Sequence, residues 1–178
     1  MEIAKQTIRS MLHGGDRRSI GRADEVVALV YSRSEAVSQV VECLWDADEV
    51  VRMRAADAAE KISREQAALL QRYKKPLLGL MTETTQKELR WHLAVIVPRL
   101  RLTAPECRRV AEILQGYLDD RSAIVKTFAM QGLWDLAIQS APLRPTVVER
   151  IRSLTRTGTP AMRARGRILL ARIGDRNL

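Results

Sequence analysis

The stretch VRMRAADAAEKI (51–62) has the residue spacing of one face of an α-helix. Apolar or small residues occupy its first, fifth, ninth and twelfth positions, which a period of about 3.6 residues per turn places on the same side. Three further segments follow this pattern: LRWHLAVIVPRL (89–100), VKTFAMQGLWDL (125–136) and MRARGRILLARI (162–173). Their starts are 38, 36 and 37 residues apart. A repeat of this length predicts stacked helical units that bury their apolar faces against one another.

A second helix is expected beside each of these segments, so that each repeat is a helical hairpin. These helices are predicted over residues 34–45, 65–81, 104–118 and 143–156, with a helix pair over residues 2–13 and 19–31 before them. The 178 residues include only six prolines and nine glycines, which favours long helices. The sequence therefore predicts an all-α fold in a single domain (1–178), with an N-terminal helix pair (1–31) and four repeats (32–173).

Two segments, LWDADEVVRMRAADAAEKI (44–62) and LDDRSAIVKTFAMQGLWDLA (118–137), resemble the HEAT repeat family. Both have aspartate in the turn, then valine and a basic residue, then a face of small residues; Lys126 stands where the family usually has arginine. The last repeat, MRARGRILL, matches loosely and lacks the acid in the turn. The resemblance implies a small, bacterial-type α-solenoid, a right-handed α-α superhelix. It is specific for fold and nearly silent about function.

The formal net charge of +9 is concentrated at the two ends of the chain. Residues 144–178 carry nine arginines against two acids, whereas residues 23–143 are almost neutral. A basic protein is attracted to nucleic acid and to anionic surfaces. Tracking along DNA, however, needs a continuous basic stripe, which a neutral middle does not supply.

Cysteine usage and hydropathy predict a cytoplasmic protein. Cys43 and Cys107 belong to no CxxC motif or histidine cluster, so two buried thiols are expected rather than a disulfide or a zinc site. The first twelve residues lack the apolar run of a secretory signal, and no stretch has the ~20 apolar residues of a membrane span. No membrane partner is therefore expected.

The segment HGGDRRSIGR (13–22) has two interpretations. In the first, Gly14 and Gly15 close one helix in left-handed conformations, and Asp16 or Ser19 begins the next. In the second, the glycines and arginines hold a phosphate-like anion. The first is the more frequent arrangement, but the arginines exceed what capping needs. Candidate anion-binding residues in the whole chain are Arg17, Arg18, Arg22, Arg54, Arg99 and Arg165.

The second position of each repeat is basic. We expect these cations to pair with acids in the turns, such as Asp46, Asp48, Asp119 and Asp120, and so to connect successive repeats. The cations are Arg52, Arg90, Lys126 and Arg163.

The helix face opposite the predicted core is apolar where a solvated face would be polar. In a solenoid this is the concave surface, and an exposed apolar patch is typical of a partner-binding site. The alternative is that curvature of the solenoid closes this surface and packs its residues together. Pro98 is also expected to interrupt its helix. The predicted partner-binding residues are Met53, Trp91, Val95, Met130, Trp134 and Ile168.

The sequence predicts a protein without catalytic residues, cofactor or metal. The two histidines, His13 and His92, accompany no nucleophile motif and no glycine-rich phosphate loop. HEAT-like DNA glycosylases use aromatic, acidic and basic residues in a cleft, and Trp91, Trp134 and Asp135 would be the candidates here.

We expect a non-enzymatic scaffold or adaptor whose concave face binds an acidic or amphipathic segment of a protein partner. The alternatives are a nucleic-acid-binding module related to DNA repair, and a homodimer that covers the apolar face. Weak, non-specific nucleic-acid binding is also compatible with the charge.

Overall fold

The structure is a computed structural model that describes residues 7–16 and 18–175, with side chains up to Arg172. All regular secondary structure in this part of the chain is helical, so the predicted all-α class is confirmed. The α-helices are α1 (Ile8–Leu12), α2 (Ala23–Ser32), α3 (Val37–Glu42), α4 (Glu49–Gln66), α5 (Lys74–Glu83), α6 (Lys87–Ile96), α7 (Ala104–Tyr117), α8 (Ala123–Gln139), α9 (Arg144–Thr157) and α10 (Pro160–Asp175). Short 3-10 segments occupy Ser34–Ala36, Cys43–Trp45, Ala67–Tyr73, Val97–Arg99 and Ala141–Leu143.

Some helix bounds differ from the predicted ones. The helix predicted over residues 65–81 is not continuous, because α4 extends to Gln66 and a 3-10 segment precedes α5. The interruption expected at Pro98 is confirmed: α6 ends at Ile96, and the chain continues as a 3-10 turn. A proline has no N–H for the helical ladder, which explains the change.

The chain divides into two compact units, residues 1–75 and 76–178, with the boundary in the first turn of α5. In the first unit, α4 packs against α1, α2 and α3. Asp48 caps the start of α4 by accepting a hydrogen bond from the N–H of Val50 at 2.8 Å. The predicted core residues of this helix are confirmed, since they have no exposed surface: Val51, Ala55, Ala59 and Ile62.

Arg54 of α4 is also buried, with 2% of its surface exposed. Its guanidinium donates hydrogen bonds to the main-chain oxygens of Leu12 at 2.8 Å, Gly14 at 2.5 Å, Asp16 at 2.8 Å and Ser19 at 3.0 Å. A buried charge is costly unless its donors find acceptors, and these carbonyls supply them. The loop between α1 and α2 is therefore wrapped around this side chain. We call Arg54 and residues 12–16 and 18–19 the Arg54 clasp.

Three glycines allow the loop to follow this path. Gly14 and Gly15, directly after α1, have φ values of 78° and 74°, as the capping interpretation predicted. Gly21 has φ 57°, and a Cβ at this position would lie 2.9 Å from Cζ and Nε of Arg54. The prediction for the next helix start is wrong, because α2 begins at Ala23.

The anion-site interpretation is contradicted at Arg54, and Arg22 has an acidic partner within the chain. Arg54 is wrongly predicted as an anion-binding residue, because its N–H groups face carbonyl oxygens. Arg22 pairs with Glu25 at 2.8 Å, and this hydrogen bond lowers the pKa of the Glu25 carboxyl. Arg18 is exposed, and Arg17 lies outside the described residues.

In the second unit, α8 packs against α6, α7, α9 and α10. The predicted core positions are buried here as well: Leu89, Leu93, Val97, Leu100, Val125, Ala129, Leu133, Leu136, Met162 and Gly166. In α10, Leu169 is buried and Leu170 is half-buried, while the side chain of Ile173 lies outside the described part.

Two glycines determine how closely these helices approach. A Cβ on Gly132 of α8 would overlap the main-chain oxygen of Ala94 in α6. A Cβ on Gly166 of α10 would overlap the side-chain oxygen of Thr155 and lie 2.8 Å from Cε of Met130. Only a residue without a Cβ allows backbones to approach in this way.

The predicted ladder of cations is confirmed at one position. Arg90 Nη1 lies 2.6 Å from Asp120 Oδ2, which connects two successive repeats. Arg52 instead donates hydrogen bonds within its own repeat, to the main-chain oxygens of Asp46 at 2.7 Å and Ala47 at 3.1 Å.

We predict that Arg54→Met lowers the free energy of unfolding by at least ~3 kcal/mol, because each buried acceptor left without a donor costs ~1–3 kcal/mol. Urea unfolding followed by circular dichroism measures the loss, and hydrogen exchange locates it in residues 12–21. Arg33→Met is the matched control, since Arg33 is exposed. Equal stability of the two variants would contradict a structural role for the clasp.

Candidate functional site

Half of the predicted partner-binding face is covered by neighbouring helices. Val95 and Met130 have no exposed surface, and Trp134 is only 3% exposed, so the prediction that they present an open surface is wrong. The close approach of the helices at Gly132 and Gly166 is the physical reason, because it brings α8 against Ala94 of α6 and α10 against Met130 of α8. For Val95, Met130 and Trp134, the alternative prediction, in which the residues of this face pack together, is correct.

The remaining three residues of that prediction keep some accessible surface. Ile168 is 51% exposed, and Trp91 is half-buried. Met53 is half-buried and belongs to the first unit.

Trp91, Phe128 and Arg165 form a row across α6, α8 and α10. The ring centroids of Trp91 and Phe128 are 4.9 Å apart, and Cζ of Arg165 lies 6.0 Å from the Phe128 ring. These contacts already satisfy the aromatic faces within the unit. The three side chains of the row therefore pack against one another and do not form a cleft for a flat ligand.

Asp135 lies beside this row. Gln131 Nε2 donates a hydrogen bond to Asp135 Oδ1 at 2.8 Å, and Nη1 of Arg165 reaches Gln131 Oε1 at 3.4 Å. Burial raises the pKa of the Asp135 carboxyl, while Arg99, Arg172 and Arg165 act in the opposite direction. The predicted anion-binding residues Arg99 and Arg165 therefore stand near a carboxylate.

The three residues predicted to form a base-binding cleft, Trp91, Trp134 and Asp135, do not lie together in the structure. Trp91 and Asp135 belong to the side of the unit that carries Arg165, whereas Trp134 lines a separate groove against α9. His92 is buried, and its Nδ1 hydrogen-bonds the main-chain oxygen of Glu88 at 2.7 Å. These positions give each residue a packing role.

The groove between α8 and α9 is the strongest candidate for a binding site. Its volume is about 240 Å³. Trp134 and Ala137, both 3% exposed, form its floor, and Ile138 is 42% exposed at its edge. The residues that line it are Trp134, Ala137, Ile138, Arg144, Pro145, Val148 and Arg152. We call this cavity the α8–α9 groove.

The helical period of α9 explains why the groove is open. Val147, Ile151 and Leu154 form the buried stripe of this helix. Pro145 and Val148 lie on the adjacent face, and there they line the groove. Apolar residues beside the core stripe are therefore left partly accessible.

Two arginines flank the apolar lining. Arg144 Nε donates a hydrogen bond to the main-chain oxygen of Ala137 at 3.2 Å, which fixes this side chain. Arg152 Nη1 lies 3.6 Å from Glu149 Oε2, and both side chains are more than half exposed, so this pair is weak. No carboxylate is among the lining residues of the groove. The site can accept an apolar group next to anions.

The sequence pattern did not predict Ile138, Pro145, Val148 or Arg152 as site residues. The repeat pattern covers residues 51–62, 89–100, 125–136 and 162–173, so Ile138 and the α9 residues lie outside it. The available signal was that Pro145 and Val148 are apolar and lie outside the Val147 stripe.

Other features of the described residues point to no further chemistry. No group of three or more His, Cys, Asp or Glu side chains is arranged to hold a metal ion within residues 7–16 and 18–172. Cys43 and Cys107 are buried free thiols, and burial raises the pKa of Cys43 to about 11. None of the helices described has the length and apolar composition needed to cross a bilayer.

Comparison with known proteins defines the class of fold, an all-α helical architecture. No protein-family model and no curated protein matches the chain. Among solved structures, it is similar to the crystal structure of an engineered protein, a Northeast Structural Genomics Consortium target. The TM-score is 0.61 at 17% identity, over 94% of this chain and 78% of that chain. HEAT membership and the handedness of a superhelix stay predictions.

We predict that Trp134→Ala lowers the free energy of unfolding by ~3–5 kcal/mol, the range for a buried aromatic side chain. Trp91→Ala should cost less, because Trp91 is half-buried. Thermal melts of the variants measure both losses. Trp45→Ala is the control, since Trp45 is 47% exposed and its loss should be within ~0.5 kcal/mol. A melt of Trp134→Ala like that of Trp45→Ala would contradict this packing.

Proposed function

We propose that the second unit binds an acidic segment of another protein, and that the chain is a non-enzymatic helical-repeat scaffold of the HEAT type. The observation that carries this proposal is the α8–α9 groove. It combines an apolar floor at Trp134 with two guanidinium groups and has no carboxylate in its lining. This groove replaces the predicted apolar face as the site of binding. A cytoplasmic location is part of the proposal and is supported by the two free thiols.

The groove has the features of a binding hot spot. Trp134 lies at its base, and tryptophan and arginine are the residues most enriched at energetic centres of interfaces. Burial of one apolar partner side chain there contributes ~1.5–3 kcal/mol before the cost of association. The net charge of +9 attracts an acidic partner during the encounter.

A display library of random twelve-residue peptides, selected on the full chain, tests this proposal directly. The expected result is enrichment of peptides that combine Asp or Glu with a large apolar residue. Selection without enrichment above background would overturn the proposed function.

We predict that Ile138→Glu weakens the selected peptides at least tenfold, because a carboxylate at the edge of the groove repels the acidic ligand. Fluorescence anisotropy with labelled peptides measures the affinity. Ile124→Glu is the matched control: Ile124 and Ile138 are both 42% exposed in α8, but Ile124 does not line the groove.

Two outcomes of this experiment would contradict the groove as the site. One is equal weakening by both substitutions. The other is a shift of the unliganded Ile138→Glu variant from dimer to monomer in size-exclusion chromatography, which would show that a second copy of the chain occupies the groove.

Nucleic-acid binding is a second candidate function, favoured by the charge of the last two helices. Six arginines of α9 and α10 are exposed, Arg172 among them, whereas the sequence of the two helices contains two acids, Glu149 and Asp175. The nucleic-acid proposal concerns the five exposed arginines that precede Arg172. These residues are Arg150, Arg152, Arg156, Arg163 and Arg167. A dense group of exposed cations attracts any polyanion without reading its sequence.

We predict that duplex DNA binds without sequence preference and with a Kd of ~10⁻⁴–10⁻⁶ M, because phosphate contacts alone give this range. The double variant Arg163→Gln, Arg167→Gln should reduce the slope of log K against log salt by roughly 2. Arg108→Gln, Arg109→Gln in α7 removes the same charge from other exposed positions and is the control. Titrations at several salt concentrations give the slope. A strong sequence preference would favour the nucleic-acid function over the scaffold.

A further inference from the structure

The size of the α8–α9 groove restricts how much of a partner it can hold. Pockets for drug-sized ligands have volumes of ~300–1,000 Å³, and this groove has about 240 Å³. Its apolar lining comes from residues 134–138 of α8 and 145–148 of α9, which is about one turn, or ~6 Å, of each helix. The groove therefore holds one large side chain.

This short lining disfavours a helical ligand. A helix that docks in a groove uses anchors at i, i+3, i+4 and i+7, which extend over ~10 Å of its axis. An extended segment, in contrast, presents one side chain to a single pocket and its alternate residues to the same side.

The two arginines supply a second restriction, on the spacing of charges. Arg144 and Arg152 are eight positions apart in α9, which is ~12 Å along the helix axis. In an extended chain, residues four positions apart are ~13 Å apart and lie on the same face. The residue midway between them also lies on that face, at the level of the apolar lining between the two arginines.

The two ends of the groove are not equivalent. The hydrogen bond from Arg144 to Ala137 holds that guanidinium in place, and it lies at the N-terminal end of α9, where the helix dipole favours an anion. Arg152 is 53% exposed and only weakly paired with Glu149, so an incoming carboxylate can displace Glu149.

We infer that the α8–α9 groove recognises an extended peptide of the pattern acidic–x–apolar–x–acidic, in which the apolar side chain contacts Trp134 and the carboxylates contact Arg144 and Arg152. This inference rests on the proposed function and names the conformation and spacing of its ligand. A large side chain such as phenylalanine fits the single cavity and can contact the tryptophan ring.

Three fluorescein-labelled peptides and the full chain test the inference by anisotropy. The first is Ser-Glu-Ser-Phe-Ser-Glu-Ser. The second, Ser-Ser-Glu-Phe-Glu-Ser-Ser, has the same composition and charge, but its carboxylates point away from the phenylalanine face when the chain is extended. The third has alanine in place of phenylalanine in the first sequence. We expect the first to bind about fivefold tighter than the second, the factor that one well-placed exposed ion pair supplies, and the third to bind weakest.

Arg152→Gln should reduce the preference for the first peptide over the second, because only Arg144 then remains to contact a carboxylate. Arg150→Gln should retain it, because Arg150 is an exposed arginine of the same helix that does not line the groove. Unchanged thermal melts of both variants verify that the fold is intact. A preference in Arg152→Gln as large as in the unchanged chain would overturn the assignment of that arginine.

The possible failures separate the inference from the proposed function. If the first two peptides bind equally, and binding still needs phenylalanine and is lost in Ile138→Glu, the spacing is wrong and the proposed function stands. If neither peptide binds at millimolar concentration and display selection also fails, the proposed function is overturned together with the inference.

Discussion

The contact of Gly132 with the main chain of Ala94 sets the geometry of the second unit. It brings the backbone of α8 against α6, so side chains beside this contact, such as Val95 and Met130, are enclosed between helices. Trp134 follows Gly132 by two residues, or ~200° around the helix, and so lies on the side of α8 away from this contact. There it meets α9 and becomes the floor of the α8–α9 groove. The missing Cβ at Gly132 thus closes one surface of α8, and the helical period places Trp134 on another.

The groove that results is suited to weak and reversible association. One buried anchor and two arginines cannot produce the affinity of a standard protein interface, which buries ~1,600 Å² and contains several hot spots. Specificity would come from the distance between the arginines rather than from the amount of surface buried. A scaffold with such a site gains affinity when its partner carries several copies of the segment, because the later contacts form at a high effective concentration.

The core could be predicted from the sequence far better than the site. The predicted core positions of α4, from Val51 to Ile62, and their counterparts in α6 and α8 are buried. Helical periodicity alone determines which side chains share this face. Exposure of the opposite face depends on how closely the next helix approaches. The repeat pattern does not show that Gly132 lies against Ala94. The groove depends on the α9 residues beside the core stripe. Their apolar character is visible in the sequence, but the sequence does not show whether another helix covers them. The same limit applies to Arg54, whose acceptors are main-chain atoms 35 to 42 residues away.

The Arg54 clasp has a consequence for how this protein can diverge. Its acceptors are carbonyl oxygens, which every amino acid provides, so replacing the side chains of Leu12, Asp16 or Ser19 leaves the hydrogen-bond partners of the guanidinium in place. The arrangement requires Arg54, the absence of a Cβ at Gly21 and residues that tolerate a positive φ at positions 14 and 15. Homologues that keep this clasp can therefore share an arginine and a glycine 33 positions apart, while most side chains of the loop that precedes the glycine differ.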